Sequence, residues 1–136
     1  MLEPKDILST DRLLSMANEV SVLLKVVMTG DDPDAYVNRA NELIAWMATT
    51  GKMLADAKYH RDLAMNGSII NLMKDTLKNS LPTSAINSLI KSDTAEINYL
   101  VNWIEQIDKE VKYNIELLRT LISYAKVDKL NQYTPQ

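Results

Sequence analysis

The groups best placed to do chemistry in this 136-residue chain lie in IELLRTLISYAK, residues 115–126. Arg119, Ser123 and Lys126 recur there at helical spacing. With Ile115 at zero and 100° per residue, Lys126, Arg119, Lys112 and Ser123 fall within roughly 20° to 80°. Ile122 and Leu118 lie on the other side of Ile115, so the cations border an apolar stripe instead of opposing it. A guanidinium fork, an ammonium and a hydroxyl on such an edge suit the oxygens of a phosphate. Two plainer roles compete: Arg119 can lay its stem over apolar surface, and Lys126 can complement a helix C-terminus.

A second cationic group sits in ADAKYHRDLA, residues 55–64. The apolar stripe of this helix passes through Leu43, Met47, Leu54 and Ala57, and its next steps fall on Lys58 and Arg61. A guanidinium carried into a packed face and left unpaired costs several kcal/mol. Either Asp56, Asp62 or Glu116 neutralises it, or Lys58, Tyr59 and Arg61 line a polar pocket. Were the two seams to meet, in one chain or across subunits, they would hold a small anion, with Tyr59 stacked on a base.

Nothing accompanies these groups that would cleave a ligand. His60 is the only histidine, with Asp56 one turn before it and no Glu-x-x-His pair nearby. It reads as a solvent-facing or capping side chain. Glu105 and Asp108 give one half of the paired acidic motifs with which all-α nucleotide pyrophosphohydrolases hold magnesium, but Glu19 and Glu42 each stand alone. Gly30, Gly51 and Gly67 stand singly, so no phosphate loop is present. The absence of Cys removes disulfides, thiolate metal sites and Cys nucleophiles. The expectation is a protein that binds without catalysing, with no metal and no cofactor.

The elements that must position these residues are helices. Only 3 Gly and 4 Pro leave little punctuation for a many-stranded fold. Residues 1–136 are expected to form a single helical domain around Leu, Ile, Val, Met and Ala, with Trp46 and Trp103 as the large pieces. The first helix starts at Ser9 or Thr10 and runs through Met28, with Gly30 ending it. Asp32 and Pro33 open the second, which continues to about Met65, where Asn66 and Gly67 stop it. A shorter segment covers residues 68–78, and a brief helix follows the turn at Leu81, Pro82 and Thr83. Asp93 and Glu96 form a capping box for the last helix, which runs to about Leu130; the tail beyond it frays. In that helix Ile97, Leu100, Ile104, Ile107, Val111, Ile115, Leu118, Ile122 and Ala125 alternate in steps of three and four.

The fold class expected is therefore all-α: an antiparallel bundle built on two long helices, about 33–65 and 93–130, with shorter helices between. Helices near 50 Å exceed the roughly 35 to 40 Å width of a compact chain this size, so a homo-oligomer is expected to cover what protrudes. A net charge of −3 argues against duplex DNA as a partner. Tyr59, Tyr99, Tyr113 and Tyr124 offer stacking surfaces for a single strand, a weaker idea given the acidic balance. MLEPK does not open like a secretory leader, and no run of about 18 apolar residues exists, which points to the cytoplasm and away from a membrane.

The segment LRTLISYAK, residues 118–126, preceded by a long helix carrying Trp103, resembles one found in small all-helical accessory proteins of tailed bacteriophages and prophages. KYHRDLA resembles an upstream segment of the same proteins. The resemblance covers about a third of the chain and implies a phage-type accessory protein acting in the bacterial host cytoplasm. It brings no chemistry with it. Two functions fit. In one, Arg119, Ser123, Lys126, Arg61, Lys58 and Tyr59 bind and sequester a small anionic, nucleotide-like ligand, as phage counter-defence sponges do. In the other, the helix faces dock a phage or host protein of recombination or replication.

Overall fold

The computed structural model describes residues 6–28, 30 and 32–133, without the side chains of residues 76–79, 129, 132 and 133. Among the described residues there are four helices and no strand: α1 Thr10–Leu24, α2 Pro33–Asn79, α3 Thr83–Asp93 and α4 Ala95–Tyr133. The N-terminal residues 1–5 and the tail 134–136 lie outside the described residues. No helix among them is long and apolar enough to cross a membrane.

α2 and α4 make by far the most extensive contact. Thr50 meets Asp108 and Ser68 meets Asp93, so later residues of α2 face earlier ones of the C-terminal half and the two helices run antiparallel. The seam between them has a seven-residue period. On α2 it takes Tyr36, Arg39, Leu43, Thr50, Met53 and Ala57, with Trp46 and His60 half-buried. On α4, Leu100, Ile104, Ile107, Val111, Ile115 and Leu118 are buried, and Ile97, Ile122 and Ala125 are half-buried. The α4 stripe thus matches the expected one throughout. Alternation of three and four keeps each apolar row turned towards its partner. At 1.5 Å per residue, the 47 residues of α2 and 39 of α4 span roughly 70 and 58 Å.

α1 lies along this pair and buries Leu13, Met16, Ala17 and Val20. Ser9 caps it, its Oγ accepting from the Arg12 amide. The helix ends at Leu24, a turn before the expected stop near Met28. Val26 and Val27 are branched at Cβ and exposed, and Arg39 of α2 donates to the Val26 carbonyl at 3.2 Å. Tyr36 Oη likewise donates to the carbonyl of Gly30, which has φ 92. Side chains of α2 thus take two carbonyls of the link.

Two further expectations are corrected. α2 does not stop at Asn66 and Gly67 but runs on to Asn79. A dipeptide that favours turns is overridden because α3 folds back on this segment, with Leu72 buried and Ser68 Oγ donating to Asp93 at 2.8 Å. A mid-helix glycine costs only about 1 kcal/mol, which such contacts offset. Nor does Asp93 open α4 through a capping box. It is the last residue of α3, and the single residue Thr94 joins the two helices. Thr94, 1% exposed, donates to the Ile90 carbonyl and accepts from Asn98 Nδ2.

The acidic member of the central seam is Asp108. Thr50 Oγ1 donates to it at 2.7 Å and Lys112 Nζ at 2.9 Å. Burial alone would raise its carboxyl pKa; the hydrogen bonds from Lys112 and Thr50, with the Lys112 charge, outweigh burial and hold it below the ordinary 3.8. A carboxyl whose pKa is lower folded than unfolded contributes stability that is present above the unfolded value. That contribution is lost as pH falls through the lower, folded value. Urea unfolding between pH 5 and 2 should therefore show an acid limb that Asp108→Asn flattens. At neutral pH Thr50→Val should cost about 1–2 kcal/mol by the same assay.

Candidate functional site

The cations of the last helix come together with α2 in one groove. Arg119, Ser123 and Lys126 form its edge, and Ala40, Ile44, Ile115 and Ile122 its floor, enclosing about 260 Å³ on an open surface. The register set at Thr50 and Asp108 explains this, since it places position 40 of α2 opposite about 118 of α4. Ile115 is buried and Ile122 half-buried, so the groove is where the apolar seam surfaces beside the cationic stripe.

Within the groove the polar groups face water. Arg119 Nη1 lies 3.7 Å from Glu116 Oε1, with both side chains largely exposed, a pairing of the kind worth at most about 1 kcal/mol. Ser123 Oγ donates to the Arg119 carbonyl at 3.0 Å and keeps its lone pairs for a donor. Lys126 is exposed. The geometry offers two cations and a hydroxyl over an apolar floor, able to hold an anion with an apolar body.

Lys58, Tyr59 and Arg61 do not join them. They lie 18 to 21 residues beyond Ala40 along α2, roughly 27–32 Å by helical rise. The reading that carried Lys58 and Arg61 into core positions is also corrected. It counted Met47 as core beside Leu54, which does pack against the core, whereas Met47 is 38% exposed and the buried row runs through Arg39, Thr50 and Met53. With the row turned this way, Lys58 and Tyr59 are exposed, and Arg61 is half-buried with Nε 3.2 Å from Asp62 Oδ1. Asp62 is thus the structural partner among the three acids considered. Tyr59 sets its ring edge-on to His60, centroids 5.9 Å apart.

His60 turns out to hold the N-terminal segment. Its Nε2 donates to the Leu8 carbonyl at 2.7 Å, which fixes the tautomer, while Asp56 Oδ2 accepts the Leu8 amide at 3.0 Å. Lys52 bridges Asp56 at 2.6 Å and the Asp6 carbonyl at 2.8 Å. Lys52, Asp56 and His60 share one face at i, i+4, i+8, a signal visible in the sequence, but their target is backbone some 50 residues away.

Other surfaces are of a different kind. Another cleft, of about 510 Å³, lies between α1 and α2 on Met16, Leu23, Ala45 and Trp46. It brings Glu19 and Glu42 together, so it does not suit an anion. No three His, Asp or Glu side chains among the described residues gather so as to hold a metal ion. Tyr99, Tyr113 and Tyr124 share the outer face of α4, at 71%, 68% and 68% exposure. Glu105, Glu110 and Glu116 flank them, which disfavours a nucleic-acid strand.

No family model, curated protein or solved structure matches the chain. Asp56→Ala should release the N-terminal segment. Amide exchange at Leu8 should rise by at least tenfold, and urea unfolding should show a loss of about 1.5–3 kcal/mol, the range for hydrogen bonds to charged groups.

Proposed function

We propose that this chain is a phage-type accessory protein of the bacterial cytoplasm that acts as a homo-oligomeric bundle and binds without catalysing. Its ligand is a small anionic, nucleotide-like molecule, held in the groove of Arg119, Ser123 and Lys126 and sequestered there. One observation carries this reading: Arg119, Ser123 and Lys126 of the cationic seam border a single groove whose floor is apolar. A phosphate would take the arginine fork and the ammonium, and the flat body of a base or sugar would cover Ile44 and Ile122. The weak link from Arg119 to Glu116 leaves the guanidinium free to turn. Lys58, Tyr59 and Arg61 have no part in this site within one chain.

A second reading is favoured by the outer face of α4, where Tyr99, Tyr113, Leu117, Tyr124 and Val127 stand exposed. Tyrosines with aliphatic neighbours are the composition of a protein contact, as a recombination or replication accessory would need.

The two separate in a thermal-shift panel of nucleotides and cyclic nucleotides. A ligand at 100 times its Kd should stabilise the fold by about 2.7 kcal/mol, a rise of several degrees. Arg119→Ala and Lys126→Ala should each abolish the rise while leaving the unliganded melting point within about a degree. If no nucleotide raises it, and a phage protein instead cross-links to a photo-reactive group at position 113, the anion reading falls and the second stands.

A further inference from the structure

Between the two cations on the groove edge stands the hydroxyl of Ser123, one turn beyond Arg119 and one turn before Lys126. A serine hydroxyl has one hydrogen and two lone pairs. Here the hydrogen is committed, because Oγ donates to the Arg119 carbonyl at 3.0 Å. Ser88 and Thr120, neither of which lines the groove, make the same bond to the carbonyl one turn back, at 3.0 and 3.2 Å. The helix itself therefore sets this orientation, with no ligand needed to hold it. Towards the groove Ser123 presents lone pairs alone. Its spacing groups it with the cations as a partner for phosphate oxygens, but in this geometry a phosphate oxygen would meet another oxygen with no hydrogen between them.

Over the roughly 10 Å of rise from Arg119 to Lys126 the edge thus runs cation, acceptor, cation. A ligand matching that order carries a hydrogen-bond donor beside its negative charge. In a nucleotide the sugar joins the phosphate to the base. With the phosphate at the cations and the base over Ile44 and Ile122, the sugar lies at Ser123, and its hydroxyls are the donors within reach. We infer that Ser123 accepts a hydrogen bond from a sugar hydroxyl, so that the groove selects ribose over a deoxy sugar and its ligand is a ribonucleotide-type anion. The inference rests on the anion reading of the groove and adds the sugar, which that reading leaves open. An acceptor covered by a ligand that lacks the matching hydroxyl loses its water and gains nothing in return. Because Ser123 is exposed, the discrimination is that of one ordinary neutral hydrogen bond, about three- to tenfold in affinity.

Titration calorimetry on the full chain tests this with matched pairs of probes. The 3′,5′-cyclic monophosphates of adenosine and guanosine are set against their 2′-deoxy counterparts, a clean comparison because the 2′-hydroxyl is then the sole free hydroxyl of the sugar. The two 5′-monophosphates are set against their 2′,3′-dideoxy counterparts. The wild-type chain should bind the hydroxyl-bearing member of a pair about three- to tenfold more tightly. Ser123→Ala should bring the two members within about twofold by weakening the hydroxyl-bearing one alone. Alanine suits an exposed helical position, so the melting point of the free variant should stay within about a degree. Equal affinities within every pair for the wild-type chain overturn the inference. So does a Ser123→Ala variant that weakens both members alike, which would put the hydroxyl on the phosphate, or one that keeps the preference intact. Each of these leaves the anion reading standing. If no member of any pair binds the wild-type chain, the anion reading falls and this inference with it.

Discussion

The hydrogen bond from Thr50 to Asp108, buried in a largely apolar seam, sets the register on which the rest depends. Two long helices with seven-residue apolar repeats can slide past each other by one repeat, about 10 Å, and still present oily rows to oily rows. What forbids the slide is a carboxylate that has lost most of its water. In the observed register it receives a hydroxyl from across the seam and an ammonium from its own helix. One repeat away it would keep Lys112 but face Leu43 or Ala57 in place of the Thr50 hydroxyl, and losing a hydrogen bond to a buried charged group costs about 1.5–3 kcal/mol. Such a group adds little net stability and much specificity. The groove inherits its existence from this choice, since Ala40 and Ile44 stand beside Arg119 and Ser123 only when 50 faces 108.

The same helix that supplies Thr50 also holds both ends of α1. Asp56 and His60 take the amide and carbonyl of Leu8, just before α1 begins. Arg39 and Tyr36 take the carbonyls of Val26 and Gly30, just after it ends. These are the backbone groups that a helix leaves without internal partners, or that a short link cannot pair. Polar side chains of α2 thus replace the longer caps and tighter turns that the chain's few glycines and prolines do not provide. Between the two clasps the burial of Leu13, Met16 and Val20, at about 1.5–3 kcal/mol for a fully buried large side chain, holds α1 on one side only.

How far these features could be read from residues follows from which of them are local. The α4 stripe was legible because every one of its nine members is apolar, and the starts at Ser9 and Pro33 because caps act within a turn. The α2 stripe was misjudged by a small rotation because its true row includes Arg39 and Thr50. Polar residues count against burial until their partners are known, and those partners lie 13 and 58 residues away. Lys58 and Arg61 were drawn into the core by that rotation, and with them half of the expected anion site. Asn66 and Gly67 misled for the complementary reason: a turn preference of about 1 kcal/mol is local, and the packing of α3 that overrules it is not. The edge position of Arg119, Ser123 and Lys126 needed only the α4 wheel. That they would have Ala40 and Ile44 opposite depended on the Thr50 register.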